Sequence, residues 1–167
     1  MDLEAELLVR APAAAVWALL GERFGQISDW AAPITSSTMT GPPGVGAVRT
    51  CHIAGFGPVR PGVIQERLVA FDPESRSLAY AAVEGMPSFV ARAVNRWSVH
   101  PHGEQACQVR THATLELRGP MRLLSFWLQR RLRADGARVL EELRHQIEEG
   151  RPHPRKLRVQ SGRASSP

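Results

Sequence analysis

From Leu3 to Leu117 the chain runs in short stretches where apolar and polar residues alternate, and from Pro120 onward apolar residues return every three to four positions. Alternation predicts strands exposed on one face, and the longer period predicts an amphipathic helix. The helix is expected over Pro120–Glu149, with Leu124, Leu128, Leu132, Val139, Leu140, Leu143 and Ile147 as its stripe. Pro120 suits a first helical position and Gly150 a stop. At ~1.5 Å per residue such a helix is ~40 Å long, so the strands before it must wrap it.

Those strands are expected at 3–10, 34–39, 47–54, 63–71, 77–83, 89–100 and 105–117. The turns between them are GPPGVG (41–46), GFGPVRPG (55–62), DPES (72–75) and PHGE (101–104). Even spacing with short turns predicts an antiparallel meander. Two short helices, 12–22 and 25–30, follow the first strand. Their breaks are Pro12, at a first turn, and Pro33. The last stretch, RPHPRKLRVQSGRASSP, is polar, basic and rich in Pro and Ser, and 151–167 is expected as a disordered tail. The class is therefore α+β, with one domain over 1–150. A curved sheet must cover its apolar face, and one long helix meets it tightly only at one end, which predicts a cavity between them.

Composition changes this picture little. With 43% apolar residues in 167, the chain can build one core. Net charge is +5, carried almost wholly by Arg, since Lys156 is the only Lys; no helix-turn-helix or stacking-aromatic motif makes this a nucleic-acid signal. Cys51 and Cys107 form no disulfide framework. The six His include no HExxH, and no GxSxG elbow or phosphate-loop Lys-Ser/Thr is present, so no metal site and no cofactor is expected. No apolar run is long enough to span a bilayer, and MDLEAELLVR does not read as a signal peptide, so a cytoplasmic protein is expected.

The segments APAAAVWALL (11–20), ISDWAAPITSS (27–37), GVGAVRT (44–50), QERLVAFDPESRSLAY (65–80) and VLEELRHQIE (139–148) resemble the SRPBCC, or START-like, helix-grip superfamily. It includes birch-pollen-allergen-like proteins, START lipid-transfer domains and polyketide cyclases. The chain is most like bacterial polyketide cyclase/dehydrase-like proteins. The resemblance implies about seven antiparallel strands curved round the long helix and a pocket for a hydrophobic small molecule. VRTCHI and ERLVAFDPESR are also similar to strands of plant abscisic-acid receptors, where a Glu matching Glu66 lines the cavity and GFGPV (55–59) falls at the gate loop. The receptor Lys that meets the ligand carboxylate falls near Thr35, and a cavity Tyr near Ala93, so that ligand is not implied.

Turned inward by this comparison and by strand parity are Arg49, Cys51, Ile53, Ile64, Glu66, Leu68, Tyr80, Ala82, Phe89, Ala91, Ala93, Asn95, Trp97, Thr111, Ala113 and Leu115, with Thr35 joining them. Arg49 and Glu66 are either an ion pair holding adjacent strands or working groups. In the second case Arg49 and Tyr80 steady an enolate oxygen and Glu66 moves a proton, in cofactor-free cyclisation and dehydration of a polyketide-like or aromatic compound. Thr35, Cys51, Ile53, Ile64, Phe89, Ala93, Asn95, Trp97, Thr111 and Trp127 are the expected ligand contacts. Trp127, among Arg122, Arg130, Arg131 and Arg133, either covers the pocket mouth or docks a carrier or sensor on an anionic membrane or a partner.

Overall fold

The computed structural model describes residues 1–55, 60–119 and 125–164. Seven strands form one antiparallel sheet: β1 Asp2–Val9, β2 Ile34–Met39, β3 Val48–Ile53, β4 Gly62–Asp72, β5 Ser77–Glu84, β6 Val90–Pro101 and β7 Cys107–Leu117. Their order is β1-β7-β6-β5-β4-β3-β2, so the chain leaves β1 for the far edge and returns strand by strand. Between β1 and β2 lie α1 (Ala13–Trp17), a π-turn (Ala18–Glu22) and a 3-10 helix (Phe24–Asp29). Pro12 stands just before α1 with extended backbone, where its missing N–H is no loss. The π-turn closes with the Arg23 N–H on the Ala18 carbonyl.

The long helix, α2, is described over Ser125–Glu149, and Gly150 ends it at φ 67°. The expected start at Pro120 and most of the loop matched to a gate fall on 120–124 and 56–59, outside the described residues. With the sheet curved against α2, the architecture is the helix-grip α+β fold. One expectation is corrected. Residues 154–164, read as disordered tail, form a third helix, α3 (Pro154–Ala164). Its turns are held by tertiary bonds. The Lys156 side chain is buried, and its Nζ donates to the Ile34 carbonyl at 2.5 Å. Arg155 reaches the carboxylates of Glu141 and Glu142, each at 2.9 Å. Glu142, only 2% exposed, also accepts the Ala32 N–H at 2.8 Å. A single carboxylate of α2 thus ties the corner before β2 to α3.

The core is not uniform along the sheet. At the end where Val9 pairs with Cys107 and Val99 with Val109, all four side chains are fully buried, and Leu140 and Leu143 of α2 pack in the same cluster. Toward the other end the inward positions Ala5, Ala93, Asn95, Thr111, Ala113 and Leu115 are only half-buried, and Ala91 is exposed. The first half of α2 belongs to this accessible end, where Gln129 donates to the Asp2 carbonyl; Glu148, by Arg10, belongs to the packed end.

Candidate functional site

Register brings the polar inward residues together. Arg49 on β3 lies directly across from Glu66 on β4, Tyr80 on β5 across from Asn95 on β6, and Trp97 across from Thr111 on β7. The Arg49 Nε and Nη2 donate to Glu66 Oε2 at 3.0 and 2.5 Å, and Nη1 donates to the Phe24 carbonyl at 2.6 Å. The guanidinium carbon sits 3.7 Å from the centre of the Phe24 ring and 5.2 Å from that of Tyr80. An arginine face on aromatic faces is attractive, more so out of water. Arg49 is 2% exposed. Burial is the largest single influence and works against its charge, but Glu66, Cys51 and Tyr80 together outweigh it and hold the guanidinium above its ordinary range.

Glu66 uses one oxygen for these bonds. The Cys51 thiol adds a long contact to the same Oε2 at 3.6 Å. Among the described residues Oε1 has no hydrogen-bond partner, and the side chain keeps 17% of its exposure. A second string runs through the middle strands. Thr111 Oγ1 donates to Asn95 Oδ1 at 2.8 Å, and Asn95 Nδ2 donates to the Tyr80 hydroxyl at 3.0 Å. The Tyr80 oxygen thus accepts from Asn95 and retains its own proton to give.

Burial, then the Glu66 charge, pushes Tyr80 up to about 12; burial likewise pushes Cys51 up to about 12 and raises Cys107. In the unfolded chain such groups ionise at about 8.5 for Cys and about 10 for Tyr. Between those values and about 12 the folded chain holds more protons than the unfolded one, so stability falls as pH rises. The urea midpoint is expected to drop between pH 8.5 and 11, and to drop less in a Cys51→Ala/Tyr80→Phe variant. Equal slopes for the two proteins would remove this pair from the alkaline loss.

The space expected between helix and sheet is nearly filled here. Leu19, Leu20, Phe24, Leu78 and Trp97 leave about 20 Å³ beside Arg49 and Tyr80, room for one water. A larger trough, about 670 Å³, has Ala70, Ala79 and Ser98 among its floor residues and Arg96, Arg110 and His112 at its rim. Register places these on the outer side of the sheet, and none of the polar side chains round it is buried. Cys51, Ile53 and Ile64 form a small buried cluster with Ile27, Ile34, Ala82 and Met86. Ala93 and Phe89 are half-buried toward the accessible end.

Two expected contacts stand apart. Thr35 occupies the bulge between Ile34 and Ser36, and its hydroxyl is turned to the His52 carbonyl at 3.1 Å. Trp127 is 71% exposed; it projects away from the buried Leu128 because consecutive helical residues diverge by about 100°. Phe24, which both accepts from and stacks on Arg49, was not singled out from the sequence. It lies one residue before the stretch read as a short helix. Among the described residues no group of His, Cys, Asp and Glu is placed to hold a metal, and no helix is long and apolar enough to cross a membrane.

The profile of a family described as polyketide cyclase / dehydrase and lipid transport matches residues 1–148. A carrot protein, the Dau c 1 isoallergen Dau c 1.0401, is 26% identical over 87 residues, 51% of this chain; the match spans 55% of that protein's own length. The di-domain ARO/CYC protein BexL of the BE-7585A biosynthetic pathway superposes with a TM-score of 0.70 at 20% identity, over 89% of this chain and 46% of its own. Truncated norcoclaurine synthase from Thalictrum flavum does so with a TM-score of 0.67 at 17% identity, over 89% and 94%. At such identities the two structures speak for the fold alone.

Proposed function

The chain belongs to the polyketide cyclase/dehydrase and lipid-transport family, and we propose that it takes up a hydrophobic small molecule, polyketide-like or aromatic, through the accessible end of the concave face. What carries this reading is the burial gradient: inward side chains stay half-buried from Ala93 and Leu115 to Asn95 and Thr111, where the polar string that leads to Tyr80 begins. Small apolar walls with a few convergent polar groups are what such a ligand requires. A ligand oxygen arriving there meets the Tyr80 proton. Arg49 supports the site from behind, holding Glu66 and Phe24 in place.

A second reading, cofactor-free cyclisation with loss of water, is favoured by the uncommitted Oε1 of Glu66. In it the carboxylate takes a proton from a carbon between two carbonyls, and Tyr80 steadies the enolate oxygen. The carbanion carbon bonds to a further carbonyl carbon, whose oxygen takes up a proton. That hydroxyl then leaves as water with a proton from the neighbouring carbon.

The test uses 8-anilinonaphthalene-1-sulfonate as a probe. Ala113→Phe is expected to abolish its binding while thermal unfolding remains cooperative, and Tyr80→Phe to weaken it by about tenfold, the worth of one hydrogen bond of ~1.4 kcal/mol. Unaltered binding in Ala113→Phe would remove the cleft from the proposal. Glu66→Gln separates the readings: it keeps probe binding and ends turnover of a poly-β-keto thioester if Glu66 is the base, and unchanged turnover excludes that role.

A further inference from the structure

The opening turns of α2 carry a feature that the cleft does not use. Phe126 and Trp127 are 69% and 71% exposed, with their rings packed edge to face at 6.4 Å. Arg130, Arg131 and Arg133 follow, all exposed, and 125–134 holds no acidic residue. At about 100° per residue, Phe126, Arg130 and Arg133 share one side of the helix and Trp127 and Arg131 flank it. Leu128, which is buried, and Leu132, which is half-buried, face the protein. Arg131 makes an ion pair with Asp135 at 3.4 Å; Arg130 and Arg133 make none among the described residues. Two large rings in water on a helix already anchored by its other face serve nothing in the fold.

We infer that this turn is a docking surface for an anionic lipid bilayer. The ring pair sits at the depth of the headgroups, where amphipathic aromatics settle. The arginines meet lipid phosphates with their aliphatic stems lying along the rings. Charge complementarity selects this occupant: three cations without an intervening anion suit a negatively charged surface better than an apolar groove of a protein. The inference does not depend on what the cleft holds, although docking would bring its accessible end against the lipid.

The protein reports on this contact by itself. Of its four Trp residues, Trp17, Trp30 and Trp97 are buried and only Trp127 is exposed, so a blue shift of tryptophan emission on adding vesicles registers Trp127. With phosphatidylcholine–phosphatidylglycerol vesicles the full chain is expected to show the shift and to float with the vesicles, weakly at high salt. With phosphatidylcholine alone it shows neither. Phe126→Ala/Trp127→Ala removes flotation, and Arg130→Glu/Arg133→Glu weakens it by more than about tenfold, each arginine being worth about fivefold near a charged surface. Both variants alter exposed side chains and should unfold at the parent temperature, which thermal melts verify. Equal binding to neutral vesicles, no binding to any, or binding that survives both variants overturns the inference. So does self-association in sedimentation that disappears with Trp127→Ala, because the occupant would then be a second copy of the chain.

Discussion

Arg49→Ala is expected to lower the unfolding free energy by about 3–5 kcal/mol, the range for breaking a buried ion pair from one side. The loss has three parts. Glu66 is left with a charge and no counter-ion, the Phe24 carbonyl loses its 2.6 Å donor, and the Phe24 and Tyr80 rings lose the guanidinium beside them. Urea unfolding followed by circular dichroism measures it. An Arg49→Ala/Glu66→Ala double variant should fall short of the summed single losses, since the coupling between contacting residues is counted in both. A single-variant loss under about 1 kcal/mol, the level of an exposed pair, would mean that Arg49 is not the linchpin its burial makes it.

Glu142→Ala is expected to cost about 1–3 kcal/mol, for a different reason. The carboxylate sits in a buried joint, accepting from Ala32 on one side and from Arg155 on the other. Its removal leaves a buried backbone N–H unpaired and takes from Arg155 one of its two carboxylate partners, Glu141 remaining. A local signature is expected as well: α3 should detach before the sheet melts. Trypsin cleavage after Arg155 and Lys156 in native buffer reads this directly. The variant should be nicked there well before any other site, and a parent-like digestion pattern would show that α3 is held by something else.

How far the molecule can be read without coordinates depends on the range of the interactions involved. The strands announce themselves because a half-buried sheet forces apolar and polar residues to alternate locally, as in VRTCHI of β3. Once the strands are placed, register follows from turn lengths, and Arg49 must come opposite Glu66. Phe24 escapes notice because its role is played by a backbone carbonyl and a ring face, neither of which leaves a pattern. The helix of α3 escapes for a related reason. RPHPRKLRVQSGR has the composition of a tail, and its order comes from Glu141, Glu142 and the Ile34 carbonyl, more than ten residues away in sequence. Trp127 was visible as a residue to explain. Its direction was not, because neighbouring positions on a helix differ by about 100° and either fits the local sequence.

The Arg49 bond to the Phe24 carbonyl also sets a direction of traffic. It latches the 3-10 helix to the sheet, so that rim cannot swing aside without stranding a charge away from water. In the proposed reading the concave face is then a cul-de-sac, entered from the end where Gln129 of α2 meets Asp2. A flexible guest would back out the way it came: whichever of its ends leads on arrival would reach Tyr80 first and be the last to leave.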